Sequence, residues 1–224
     1  MTRFAWSDYV EFERSEAAEL FREAQDPDSL MARLADFIHR LQATLKPEDF
    51  VRPQPDQWIH RTAKLASDAV LEGPLLLFPH VEIRAAAYLR GPVLMGEGSQ
   101  IGHGCEVKHS ILLPHASVPH LNYVGDSVLG FGAHIGAGVI LSNYRADHKP
   151  VKLSLPGGVV LQLQTRKFGA ILGDGVEIGC QSVLNPGVTI GPRSRIYPLC
   201  LVRGAVGAAC IVKRDGEIAA LRED

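Results

Sequence analysis

Two observations in the amino-acid sequence predict a mainly β fold, a parallel β-helix of six-residue repeats entered through a short helical segment. The first is a period. Stepping by six, the chain places a bulky aliphatic residue at Ile59, Leu65, Leu71, Leu77, Ile83, Leu89, Met95, Ile101, Val107 and Leu113, a run that a 46% hydrophobic composition does not sustain by chance. The second is what lies between the steps. Four residues after most of them stands a small or apolar residue (Ala63, Ala69, Val81, Ala87, Cys105), and glycine often follows directly, as at Gly96, Gly102, Gly130, Gly136, Gly173, Gly179 and Gly191. A period of six fits neither an isolated helix nor a hairpin meander. It fits coils in which each hexad gives one short strand and its corner, and three hexads close a triangular turn around stacked aliphatic ladders. Glycine suits the tight corners because it has no Cβ to clash there.

Residues 1–50 differ from the rest and read as a helical hairpin. Ser7 is placed to cap a first helix running through Tyr9, Val10 and Phe12 to Leu20 and Phe21. Asp26 then serves as an N-cap with Pro27 at the first helical position. Leu30, Leu34, Phe37, Ile38, Leu41 and Leu45 follow at helical spacing until Lys46-Pro47. Residues 51–58, with Arg52-Pro53-Gln54-Pro55, read as a linker, and 59–209 as the β-helix. The period slips near Pro114–Pro119, just before His120, and resumes at Tyr123, Leu129, Ile135 and Leu141. It slips again over 150–171 and returns at Leu172, Ile178, Leu184, Ile190, Ile196 and Val202. A regular coil presents chemistry where it loops out, so both slips are candidate sites. The second holds alternating apolar runs around Pro156-Gly157-Gly158, which predict a projecting hairpin near 150–168. Residues 210–224 read as a tail of short strand, turn and helix. The N-terminal helices are expected to cap the open first coil, whose edge otherwise invites pairing.

Lys and Arg number 23 against 25 Asp and Glu, a formal charge of −2. That balance gives no electrostatic case for nucleic acid or an anionic membrane. No apolar run approaches the roughly 20 residues a bilayer needs, and the N-terminus lacks a signal-peptide core. Cys105, Cys180, Cys200 and Cys210 form no close pair. They read as reduced thiols, mostly small core-filling side chains, in a cytoplasmic protein.

With the hexads in place, YLRG (88–91), GEGSQIGHGCEVKHS (96–110), HLNYVGD (120–126), IGAGVILSNY (135–144) and RKFGAILGDGVEIG (166–179) carry a resemblance. They resemble the left-handed β-helix acetyltransferase domain of the bifunctional enzyme that makes UDP-N-acetylglucosamine, and its archaeal sugar-1-phosphate nucleotidylyltransferase/acetyltransferase relatives. The likeness covers roughly residues 60–207. It implies an acetyl-CoA-dependent N-acetyltransferase acting on an amino-sugar 1-phosphate such as glucosamine 1-phosphate, feeding nucleotide-sugar and cell-envelope precursors. It implies a homotrimer with sites at subunit interfaces, acetyl-CoA as cosubstrate and no metal. By the same resemblance, His120 is the general base, Arg90, Lys108 and Tyr123 hold the sugar phosphate, and Asn143, Tyr144 and Lys149 complete the sugar site. Ala137 and Cys180 line the acetyl-CoA channel. The family's NYDG reads Asn143-Tyr144-Arg145-Ala146 here, His134 stands where an asparagine helps bind the phosphate, and Cys180 replaces a serine. These departures bear on which sugar is accepted. No glycine-rich nucleotidylyltransferase start is present, so no pyrophosphorylase activity is expected.

The residue chemistry agrees with that implication. A histidine with an ordinary pKa of about 6.5 is mostly neutral at pH 7 and can take a proton from an amine. Asn143, or a backbone N–H of Gly136–Gly138, is a candidate for the oxyanion. Arg90 offers a fork for phosphate. Lys108 lies 18 residues on, one coil away, so the two stacked cations ask for an anion. Lys152, Arg166 and Lys167 are candidates for the phosphates of CoA. Two rivals stand beside this reading. His80, His115 and His120 have spacings suggestive of a gamma-class carbonic anhydrase trimer with zinc between subunits. A non-catalytic structural or regulatory trimer that binds sugar phosphate is the other. HLNYVGD and SNY are left unexplained by the zinc reading.

Overall fold

The computed structural model describes residues 4–221. The chain is a left-handed parallel β-helix with a helical segment laid along one side. Each coil has three faces. The first carries Gln57–His60, Leu75–Leu77, Val128–Leu129 and Ala170–Leu172. The second carries Glu82–Ile83, Gln100–His103, Ser117–His120 and His134–Ile135, and the third carries Val70–Glu72, Tyr123–Gly125 and Ile140–Leu141. Tyr88–Met95 and Glu106–Leu112 run from the third face round onto the first. Strands stack in parallel register, Trp58 on Leu76, Leu76 on Leu94, Leu94 on Ile111 and Ile111 on Val128.

The aliphatic steps supply the interior. Ile59, Leu77, Met95, Leu112, Leu129, Leu172 and Ile190 form one internal ladder, almost entirely out of water. Burying each such side chain contributes about 1.5–3 kcal/mol. Leu113 departs from the expectation: Leu112 points inward and Leu113 packs outside, under the helices. The cause is a contraction by one residue where the third face turns into the first, at Val107–Leu112 and again at Val124–Leu129. His109 and Asp126 take the tight corner there, with φ of 46° and 47°. Pro114–Pro119, by contrast, keeps the period. Val118 lies inside on Ile101, and Ser117 pairs with coils on both sides. The slip read before His120 therefore belongs to the contracted corners flanking it.

The second slip is a true excursion. Residues 142–169 leave the coil, and Val128 pairs directly with Ile171. Lys152–Leu155 and Val159–Gln162 form an antiparallel hairpin through Gly157 and Gly158, whose φ values of 78° and 77° favour glycine. It does not project. Val151, Leu153, Leu155 and Leu163 are buried, so the hairpin lies against the wall that its apolar face can cover.

That wall is the first face. Its strands are apolar on both sides, so Leu76, Leu94, Ile111, Val128 and Ile171 face outward and need cover. Helix α2 follows α1 (Ala18–Glu23), spans Pro27–Gln42, and supplies Leu30, Leu34, Phe37 and Ile38 for that purpose. Asp26 caps α2 by accepting from the Ser29 N–H at 2.8 Å, with Pro27 at the first position, as the sequence predicts. The first predicted helix is mostly absent. Trp6–Asp8 and Phe12–Arg14 are single 3-10 turns without a Ser7 cap, because Trp6 and Tyr9 turn into the core and Asp174 takes the Glu11 N–H. Nor do the helices cap the first coil. Phe50–Val51 pairs antiparallel with Ile59–His60 instead, the proline-rich stretch forms the turn between, and Leu65 in that coil stays 36% exposed. At the far end the coil continues through Cys210–Val212, and Ile218–Ala220 pairs back on it as a strand rather than a helix. Residues 1–3 and 222–224 of the predicted terminal segments lie outside the described residues. No described helix is long and apolar enough to cross a membrane.

One carboxyl under the helical segment is badly placed. Glu16 Oε2 is buried without a hydrogen-bond partner. Burial pushes its pKa up from 4.5, the N–H of its own residue lowers it, and Glu97 raises it again. A raised acid pKa means the folded state holds the proton more tightly, so the penalty is absent at low pH and grows as pH rises through that range. Glu16→Gln should stabilise the protein at pH 7 by about 1 kcal/mol, roughly 2–4 °C in Tm. An equal difference at pH 4 would contradict this account.

Candidate active site

Two edges of the triangular prism bound the third face, and the sequence-predicted residues divide between them. At the edge between the second and third faces, the carbonyls of His103, His120, Ala137 and Cys180 accept from the N–H groups of Leu121, Gly138, Gln181 and Leu199, one coil on, at 2.8–2.9 Å. His120, Ala137 and Cys180 are thus a column in successive coils. His120 ends the strand Ser117–His120, is exposed, and its ring makes no hydrogen bond among the described residues. Gly136 packs beneath Cys180, where a Cβ would come within 2.7 Å of the Cys180 nitrogen. The Gly136 N–H donates to Ile178 and the Gly138 N–H to His120, so these two are not free for an oxyanion. The Ala137 N–H has no acceptor among the described residues.

The opposite edge, between the third and first faces, is built around Asp126. This carboxylate is almost fully buried and accepts from Lys108 Nζ at 3.1 and 3.4 Å, from His109 Nδ1 at 2.8 Å and from Asn143 Nδ2. Burial alone would raise its pKa, but the hydrogen bonds from His109 and Asn143 and the Lys108 charge outweigh burial and hold it below 3.8. Tyr123 lies on the face between. A Cβ on Gly125 would come within 2.6 Å of Asn143 Nδ2 and 2.7 Å of the Tyr123 hydroxyl, so only glycine lets the two side chains meet. Burial, then the Glu106 and Asp126 charges, raise the Tyr123 pKa and keep it a neutral hydroxyl.

Arg90 and Lys108 are stacked register partners, as the spacing predicts. The anion expected between them is supplied by the protein itself: Arg90 pairs with Glu106 at 2.8 Å and Lys108 with Asp126. Beside Lys108 a groove of about 760 Å³ opens between α2 and residues 164–167, and Tyr144, Arg166 and Lys167 line it. Arg166 and Lys167 therefore stand on the Lys108 edge, away from the Ala137–Cys180 column. Lys149 is exposed in the loop after Tyr144, and Lys152 is exposed on the hairpin. His134 is not brought to the others; it sits on the second face, 2.8 Å from Glu177. The three histidines of the zinc rival do not converge within one chain. His115 and His120 stand at opposite ends of the second face, and no group of three candidate ligands gathers among the described residues. Cys105 and Cys200 fill the core as expected, whereas Cys180 is exposed and Cys210 half-buried.

Sequence reasoning missed His109 and Asp126 as members of this cluster. The signal was available in the five-residue steps Val107–Leu112 and Val124–Leu129, which put both at a contracted corner one above the other. His148 lies with Nδ1 3.1 Å from the Tyr144 hydroxyl.

A family model described as the GMPPB C-terminal domain matches residues 71–185 of the 224. One described as bacterial transferase hexapeptide (six repeats) matches residues 169–204. The bifunctional protein GlmU of Methanococcus vannielii is 38% identical over 132 residues, 59% of this chain and 31% of its own length. The bifunctional sugar-1-phosphate nucleotidylyltransferase/acetyltransferase of Sulfurisphaera tokodaii is 40% identical over 121 residues, 54% of this chain and 30% of its own. This chain thus spans about a third of the length of these relatives. The acetyltransferase domain of PglB from Neisseria gonorrhoeae, solved with acetyl coenzyme A, superposes with a TM-score of 0.36 at 13% identity, covering 84% of this chain and 64% of that one. With hexapeptide coils running through the matched segment and a family model over more than half its length, the chain belongs to the GMPPB C-terminal domain family.

Proposed function

We propose that the protein is an acetyl-CoA-dependent N-acetyltransferase whose acceptor is an amino-sugar 1-phosphate, glucosamine 1-phosphate being the first candidate. The observation that carries the reading is the placement of His120. Its unengaged ring stands in the column of Ala137 and Cys180, one short strand away from Lys108 and Asn143, with Tyr123 on that strand. The three residues Tyr123–Gly125 span roughly 10 Å, a width that the side chains at both edges bridge over an amino sugar. The names of the relatives, GlmU and a sugar-1-phosphate acetyltransferase, support the same chemistry.

In this mechanism His120 takes a proton from the acceptor amine as nitrogen attacks the thioester carbonyl. The C–N bond forms, and the Ala137 N–H receives the oxyanion. Collapse breaks the C–S bond, and the imidazolium returns the proton to the departing thiolate, giving the amide and CoA. Asn143 contributes by position, since one of its amide hydrogens is held by Asp126. The buried thiols of Cys105 and Cys200, their pKa values pushed up by burial, suit a reducing cytoplasm. Thiol release from acetyl-CoA should appear with one or more of a panel of amino-sugar 1-phosphates. Silence across the panel would leave the non-catalytic trimer standing.

The assembly we propose is a homotrimer that closes the site. Leu121, Leu199 and Leu201, at or beside the His120 edge, are 62%, 52% and 58% exposed. Leu121 and Leu199 hold φ of 51° and 64°, a conformation costing an L-residue about 1–2 kcal/mol. An isolated chain gains nothing from strained, solvated leucines, whereas a second copy packed on this edge would bury them. Sedimentation should give a particle of three 24.3 kDa chains, and Leu121→Glu should shift it to monomer with loss of turnover. A monomeric wild type that turns over would end the trimer proposal.

A further inference from the structure

The turn that follows Tyr144 is tied down although it buries nothing apolar. Ala146, Asp147, His148 and Lys149 are exposed and Arg145 is half-buried, so packing does not set its shape. Polar ties do. Arg145 forks onto both oxygens of Asp147, with Nε at 2.8 Å, and Asp147 Oδ1 also accepts the Lys149 N–H at 3.2 Å. Arg145 stands where the resembled motif has aspartate, so this clasp belongs to the present chain. The His148 N–H donates to the Arg145 carbonyl at 3.0 Å and closes the turn. His148 takes a φ of 57° there, a left-handed conformation that a Cβ disfavours. Closed in this way, the turn brings the His148 ring back onto Tyr144. Its Nδ1 lies 3.1 Å from the Tyr144 hydroxyl, and the ring centres are 5.6 Å apart.

Tyr144 is pinned on its other side as well. Its backbone bridges Lys167, and the Phe168 N–H donates to the Asn143 carbonyl at 3.0 Å. Tyr144 lines the groove that also holds Lys108 and Asp126, and it stays 41% exposed. A phenol at the surface turns freely unless something holds its hydroxyl, and His148 does. A tyrosine hydroxyl has one hydrogen and two acceptor lone pairs. Whichever partner donates in the Tyr144–His148 bond, the phenol oxygen keeps at least one lone pair for a further donor. The group that meets it is a hydroxyl hydrogen. A phosphate oxygen has no hydrogen to give, so this point in the groove reads the sugar.

We infer that His148 is a positioning residue for acceptor selection: it fixes the Tyr144 hydroxyl at the groove, where the oxygen accepts a hydrogen bond from one ring hydroxyl of the sugar. This role rests on the acetyltransferase reading, in which Tyr144 belongs to the sugar site. It adds a residue that acts on the sugar only through Tyr144, held in place by the Arg145–Asp147 clasp.

Steady-state kinetics of the full chain with glucosamine 1-phosphate and its monodeoxy analogues test this. His148→Gly suits the left-handed turn and removes only the ring. It should raise KM for the acceptor roughly three- to tenfold, the usual worth of one net hydrogen bond, and leave kcat and the KM for acetyl-CoA unchanged. Wild type should discriminate against one monodeoxy analogue by a similar factor, and His148→Gly and Tyr144→Phe should both lose that discrimination. His148→Asn, which also suits the turn and places an amide nitrogen near Nδ1, should recover part of it. Tyr144→Phe/His148→Gly should lose no more than Tyr144→Phe alone, because the two side chains act as one unit. Additive losses, a loss in kcat in place of KM, or a wild type blind to every monodeoxy analogue would overturn the role. Calorimetric binding of the same sugars without acetyl-CoA separates the two proposals. Selectivity that depends on His148, in a protein that never turns over, would remove the acetyltransferase reading alone. Turnover in which His148→Gly matches wild type would remove the role of His148 alone, and failure to bind any of these sugars would end both.

Discussion

His120→Ala should lower kcat for acetyl transfer by about 10²–10⁴-fold, the usual worth of a positioned general base, while KM for both substrates moves only a few-fold. The separation of the two constants follows from where His120 stands. It holds no hydrogen bond within the described residues and supports no neighbour through its ring, so its removal takes away proton transfer and little else. Its backbone carbonyl, which does hold the next coil through Gly138, is untouched by the substitution. Tm should therefore stay within about 1 °C, as for an exposed side chain away from structural features. Full activity in His120→Ala would move the base elsewhere in the site. Equal loss of activity and stability would make His120 a structural corner residue.

The fold was legible because the interior ladder is a one-dimensional code: each coil repeats the same environment, so aliphatic residues recur at a fixed step. What escaped the step was anything fixed by contacts across coils. Leu113 satisfies the count of six and still points outward, because the corner at His109 is one residue short. Trp6 and Tyr9 satisfy helical spacing but are drawn into a core with Phe21 and the first face, where tertiary burial overrides local propensity. Ile218–Ala220 becomes a strand because the last coil leaves an unpaired edge at Cys210–Val212. At the site, the same distinction holds. His120, Tyr123 and Asn143 were readable as motif letters, and the motif fixes their order along the chain. Asp126 was read as the last letter of HLNYVGD and nothing more. Its importance comes from three donors that converge on it from two distant stretches, Lys108-His109 before it and Asn143 after it, and no linear pattern displays convergence.

That convergence makes Asp126 the position where loss should be felt most by the fold itself. Asp126→Ala should destabilise the protein by roughly 3 kcal/mol, near the lower end of what breaking a buried ion pair costs, because Lys108 can still turn toward water. In Tm this is roughly 6–12 °C. The substitution leaves one hydrogen of the buried Asn143 amide without an acceptor, so its desolvation is no longer repaid, and it takes the partner from Nδ1 of the half-buried His109. The pH dependence identifies the cause. The folded-state pKa of Asp126 is depressed below 3.8, so its contribution is full above that value and is lost as pH falls through the folded pKa. The stability gap between wild type and Asp126→Ala should be widest at neutral pH and should narrow in acid. A packing defect would leave the gap independent of pH and would sink the electrostatic explanation. Loss should also spread along the cluster. Without its carboxylate partner the His109 ring loses what holds it in place, so its hydrogen bond with the Met31 carbonyl should loosen and amide exchange in α2 should accelerate more than in the hairpin. If α2 stayed protected while the gap closed in acid, Asp126 would stabilise the coil alone and the helical segment would be held by its apolar face.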